Sequence, residues 1–166
     1  MTCRPLFSLL IVLLLGPGWL YASASPGKEA LCEKNASALV HEGKLAEGLA
    51  VIKKCIKDVP TRSKSHVILG YILLQEGKIN PAKEAFNKAL DLRPHSSAAK
   101  TGKGIILAHN GDLKGAESIL KDALKLNPNP ARTHYELGLI YEELGDTKQA
   151  LFHFKQGIKI REQTRR

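Results

Sequence analysis

The sequence predicts an all-α fold, a solenoid of four stacked helix-turn-helix hairpins. Two amphipathic runs, Thr133 to Leu144 and Thr147 to Ile160, are separated only by Gly145-Asp146, so two helices must fold back on each other. The same pattern returns every 34 residues toward the N-terminus, three times over. Ala, Leu, Lys and Glu abound, whereas Phe, Tyr and Trp number four, four and one, which favours helix over strand.

In chain order, residues 1–24 read as a signal peptide. Arg4 supplies a positive start, Leu6 to Leu15 is apolar, Gly16-Pro17-Gly18 breaks the run, and Ala22-Ser23-Ala24 offers small residues for cleavage after Ala24. Cys3 stands before the apolar run, where it does not serve as a lipid-bearing cysteine. The mature protein is therefore expected to be exported, without a membrane span. Residues 25–28 form a linker, and the repeats follow as 29–62, 63–96, 97–130 and 131–166, the last with a basic tail.

Each repeat column keeps its physical character. Gly70, Gly104 and Gly138 let a helix approach closely, Ala82, Ala116 and Ala150 do the same from the other side, and Phe86, Leu120 and Phe154 plug the gap. Gly43, Gly77, Gly111 and Gly145 end the first helix of each unit, while Pro60, Pro94 and Pro128 stop the second. The first unit departs from the pattern, with Asn35 in an apolar column and Gly48 in the alanine column, as suits a looser terminal cap.

This pattern resembles the tetratricopeptide repeat family over residues 29–166, on the Leu-Gly, Ala, Phe or Leu, Ala and Pro positions of its helix-turn-helix unit. The resemblance implies a right-handed superhelix that binds a protein or peptide on its concave side. It also implies that Cys32 and Cys55 face each other across the first hairpin. In an oxidising compartment they would form a disulfide, and two small buried apolar side chains would suit the same columns. The Lys and Asn clamp by which some members hold a chaperone's terminal carboxylate is absent, since Glu33, Ser37, Tyr71, Ala98 and Gly102 occupy those columns.

No catalytic constellation, metal pattern or cofactor motif emerges, so the chain is not expected to be an enzyme. His41, His66, His95, His109, His134 and His153 fall in no metal-binding spacing, and His66 and His134 share one column that reads as packing. Asn35-Ala36-Ser37 is a glycosylation sequon on a helix. The net charge of +9 is spread at helical spacing, as on a solvated face, with a cluster at Lys155, Lys159, Arg161, Arg165 and Arg166. No nucleic-acid motif accompanies it, and polyanion binding by the lysine-rich surface is the alternative to groove binding.

The first helices should line the concave wall. Register places Glu33, Ser37, Val40 and His41 there, then Lys64, Val67, Tyr71, Leu74 and Gln75, then Thr101, Ile105, Ala108 and His109, then Arg132, Tyr135, Leu139, Glu142 and Glu143. Tyr71, Tyr135, Val67, Leu74, Ile105 and Leu139 would form an apolar floor edged by Lys64, Arg132 and Glu142. Leu151, Phe154 and Ile158 in the last unit would be only partly covered, and self-association or docking on a membrane-complex protein would hide them. The expected role is an exported interaction scaffold, an assembly or accessory factor of an envelope complex. A bacterial periplasm is its first setting and a eukaryotic secretory lumen the second.

Overall fold

A computed structural model describes residues 26–127 and 130–164. The expected signal peptide, Pro128 and the Arg165-Arg166 end of the basic tail lie outside the described residues. Eight helices follow in order: α1 (Pro26–His41), α2 (Leu45–Asp58), α3 (Ser63–Gln75), α4 (Ile79–Leu92), α5 (Ser97–His109), α6 (Leu113–Leu126), α7 (Ala131–Glu143) and α8 (Thr147–Gln163). Among the described residues there is no strand. Residues 26–28, expected as linker, form the first turn of α1.

Each hairpin turns on one device. Gly43, Gly77, Gly111 and Gly145 adopt φ of 77°, 72°, 81° and 79°, a left-handed conformation that a side chain would strain. The next residue's N–H then reaches five residues back, from Lys44 to Leu39, Lys78 to Leu73, Asp112 to Leu107 and Asp146 to Tyr141, at 2.8–2.9 Å. Asp112 and Asp146 also open the following helix, because their Oδ1 atoms accept from the Gly115 and Gln149 amides at 2.9 and 3.0 Å. One residue thus closes one helix and caps the next.

The two helices of a hairpin meet where a bulky side chain on the second lies under a small residue on the first. Fully buried Phe86 sits so close to Gly70 that a Cβ there would stand 2.7 Å from the ring. The same ring lies under Gly102 of the next hairpin, at 2.3 Å from a Cβ added there. Leu120 under Gly104 (2.7 Å) and Phe154 under Gly138 (2.4 Å) repeat the arrangement. Buried Ala82, Ala116 and Ala150 complete it from the other side.

The layering sets the curvature. Odd-numbered helices touch the next odd-numbered helix, while α2, α4, α6 and α8 do not touch one another, and α2, α4 and α6 instead pack on the first helix of the following hairpin. The more closely spaced layer is the inner side of the curve, so α1, α3, α5 and α7 line the concave wall.

Different chemistry holds each junction between hairpins. At the first, Arg62 forms a two-pronged pair with Glu33 at 3.0 Å on each arm and reaches Glu29 at 2.8 Å, while Ser65 Oγ donates to Glu33 at 2.9 Å. Burial alone would raise the Glu33 carboxyl, but hydrogen bonds from Arg62 and Ser65, with the charges of Arg62 and Lys64, hold it below the ordinary carboxylate range. At the third junction, Thr101 Oγ1 donates to Ser97 O at 3.0 Å, so its 2.7 Å contact with Thr133 is one in which Thr133 donates. Tyr141 Oη donates to Glu117 at 2.8 Å across the same junction.

The first hairpin is covalently stapled. Cys32 on α1 and Cys55 on α2 form a disulfide with their Cα atoms 6.1 Å apart. Closing a loop of this length stabilises by about 3 kcal/mol in the chain-entropy model. The staple falls in the hairpin whose pattern is weakest, where Asn35 is exposed and buried Gly48 replaces the alanine of the other units.

If close seating under glycine governs hairpin spacing, Gly138→Ala should lower the unfolding free energy by about 1–2 kcal/mol despite alanine's better helix propensity. Gly27→Ala, where an added Cβ meets nothing within 4 Å, should be neutral or slightly stabilising. Urea unfolding of the two variants measures the contrast.

Candidate functional site

The residues expected on the concave wall divide into three groups. Val67 and Thr101, at 7% and 2% exposure, are buried beneath the following hairpin and are not groove surface. Glu33, in the same repeat column, is likewise buried, inside the Arg62 network. The correction has one physical cause, since this column faces the first helix of the next unit in three hairpins out of four. Its fourth member, Tyr135, is 53% exposed and rests its ring 5.7 Å from that of Phe154.

Tyr71 is intermediate in role. Its ring meets Phe86 edge-on at 5.1 Å, its Oη donates to Ala98 O at 2.9 Å, and the Arg132 guanidinium lies 4.3 Å above its face. Burial pushes its phenol up to about 12. Tyr71 therefore closes the wall between α3 and α5, with its polar end already satisfied. Half-buried Leu74 packs on the same cluster. Lys64, Gln75, His109, Arg132, Leu139 and Glu142 remain exposed, and Ile105 is half-buried.

Between α5 and α7 the wall opens into a hollow of about 230 Å³. Gly104, Ile105, Ala108 and His109 line it from α5, Leu120 from α6, and Glu136, Leu139, Ile140 and Glu143 from α7. Five of these, Ile105, Ala108, His109, Leu139 and Glu143, were expected on the wall from register. Gly104, Leu120, Glu136 and Ile140 were not.

The hollow follows from residue volume. Stepping 34 residues, Tyr71, Leu74 and Phe86 of the second hairpin become Ile105, Ala108 and Leu120 of the third, each smaller than its counterpart. The space that an aromatic ring closes between α3 and α5 stays open between α5 and α7. Glu136, in the column of Ile68 and Gly102, lies along its side with its side chain 16% exposed, and burial raises its carboxyl above the ordinary value against the pull of Arg132. The Arg132 Nε stands 3.5 Å from Glu136 Oε1.

A second hollow, of about 160 Å³, lies beside the disulfide, and Arg62 and Glu29 on its edge already pair with each other. Among the described residues no group of three or more His, Cys, Asp or Glu is placed to hold a metal ion. His66 and His134 are both buried, and His66 Nε2 lies 2.9 Å from Pro60 O, so the column packs as expected.

A model of the tetratricopeptide repeat matches residues 73–132 and 107–166. The chain belongs to the tetratricopeptide repeat family. Solved structures share the fold: TTC0263, a thermophilic TPR protein of Thermus thermophilus, is 24% identical over 80% of this chain and 74% of that one, with a TM-score of 0.70. PilF of Pseudomonas aeruginosa is 18% identical over 81% of this chain and 61% of its own, at 0.67, and MamA is 20% identical over 85% and 82%, at 0.60. None of the curated protein sequences matches the chain. Tetratricopeptide solenoids are protein-binding scaffolds and are generally not enzymes.

Behind the groove, His134 and His153 meet with Nδ1 atoms 3.0 Å apart, and Tyr141 stacks on His153 at 5.4 Å. Burial, then the neighbouring His134 and Lys121, hold the His153 imidazole below its ordinary value. Folding therefore favours the neutral ring. Below about pH 6.5 the unfolded chain takes up this proton more readily than the folded one, so the stability present above that pH declines beneath it. Thermal unfolding from pH 7.5 to 5 should therefore show a fall in Tm that His153→Gln reduces.

Proposed function

We propose that the protein is an exported adaptor that holds an extended segment or a helix of a partner protein against its inner wall, as an assembly or accessory factor of an envelope complex. The observation that carries this reading is the hollow between α5 and α7, open on the concave side, lined by apolar residues and rimmed by exposed His109, Leu139 and Glu143. A rigid stack of hairpins offers such a surface preformed, which lowers the ordering cost of binding. Export is supported by the Cys32–Cys55 disulfide, which persists in oxidising compartments, and by a signal-like N-terminal sequence. Among the described residues no helix is long and apolar enough to cross a membrane.

Self-association is a second reading, favoured by the last hairpin. Leu151, Phe152 and Ile158 on α8 are 52%, 51% and 59% exposed, and Ile158 stands in the column of Ile56, Leu90 and Leu124, which are half-buried in the other units.

Exposed groove residues test the main reading without disturbing the core. Capture from a native extract with wild type and with Gln75→Ala/Leu139→Ser should lose the bound proteins in the variant while its circular dichroism and Tm stay close to wild type. Equal retention by both proteins refutes the groove.

A further inference from the structure

The hollow carries a charge opposite to that of the chain around it. The sequence is +9 overall, so diffuse surface attraction favours anions. Yet the hollow presents the carboxylates of Glu136 and Glu143, one helical face of α7 at a spacing of two turns, and His109 on the facing rim. Among the described residues Glu136 pairs with Arg132, whose Nε stands 3.5 Å from Oε1, and the Arg132 guanidinium also lies over the Tyr71 ring. The pair engages one oxygen of Glu136, and exposed Glu143 shares the lining of the hollow with the apolar surface of Ile105, Ala108 and Leu139.

At about 230 Å³ the hollow is below the roughly 300–1,000 Å³ of small-molecule pockets and suits a single side chain. An aliphatic stem ending in a cation matches both parts, the stem against Ile105, Ala108 and Leu139 and the head on the carboxylates. We propose that this hollow is the specificity pocket of the groove and takes an arginine or lysine side chain that stands next to an apolar residue in the partner's bound segment. The proposal rests on the groove reading for the identity of the ligand as a protein segment, and on the geometry of the hollow for its charge.

The repeat supplies its own control. Ala108→Leu restores the residue of the second hairpin at that column and adds its bulk at a residue that lines the hollow. The probes are acetyl-Leu-Arg-amide and acetyl-Leu-citrulline-amide, which have nearly the same shape and differ in the charge of the head.

In amide NMR titrations of the wild-type protein, the arginine probe should shift Gly104, Ile105, Leu139 and Ile140 saturably, and the citrulline probe should bind about tenfold more weakly. Glu136→Gln should bring the arginine probe down to the citrulline level, and Ala108→Leu should abolish the shifts with an unchanged or higher Tm. Equal affinity for the two probes, or shifts that leave these four amides unmoved, overturns the pocket. The groove reading is judged separately by capture. Loss of partners in Gln75→Ala/Leu139→Ser together with equal probe affinities sinks the cation pocket alone, whereas retained partners with a charge-selective probe response sink the groove and leave the pocket.

Discussion

A bulky side chain seated beneath a small residue sets the distance between the two helices of every hairpin. The pairs are Phe86 with Gly70, Leu120 with Gly104 and Phe154 with Gly138, and in the first hairpin Ile52 and Ala36 hold the same columns within one buried cluster. Any side chain in the glycine positions would meet the ring or branch below, so the spacing is held by close packing and cannot relax gradually. Phe86 extends the constraint further by lying under Gly102 of the next hairpin as well as Gly70 of its own. The inner layer of helices is therefore drawn together, and the concave wall follows from that closeness.

Within a wall made by repetition, the hollow arises where the repeat is broken. The second and third hairpins share their turn geometry and helix lengths, but the third has smaller residues at three columns that face α7, and the lost volume appears as the hollow. Tyr71 shows what the intact pattern does, since its ring fills the corresponding place and its hydroxyl is spent on Ala98. The polar residues follow a similar logic. Glu33, Thr101 and Tyr135 occupy one column, and only the last is exposed. Two of them form buried junctions, one ionic and one between hydroxyls, so each junction has its own chemistry and the hairpins pack in a fixed order.

Much of this was legible in the sequence because the period of 34 overdetermines it. The turn glycines, the seated Phe and Leu residues and the column assignments all follow from one alignment of the chain with itself. The disulfide was legible only through the resemblance, which places Cys32 opposite Cys55. The inner wall was read less well. Periodicity identifies the face of a helix, yet Val67, Thr101 and Glu33 lie on a face that the following hairpin covers, and the width of that cover is set by tertiary packing. Glu136 went unnoticed because its column holds Ile68 and Gly102, neither of which marks a lining position. Comparing side-chain volumes between adjacent units would have pointed to the hollow; comparing residue types within a column does not.

Partners are proposed to meet this protein where the inner wall is incomplete, between the third and fourth hairpins. Hydrogen–deuterium exchange of the protein bound to a captured partner measures this directly. Slowed exchange concentrated in α5 and α7, around residues 104–109 and 136–143, is the predicted result. Protection confined to α2, α4, α6 and α8, on the outer side of the curve, would contradict it.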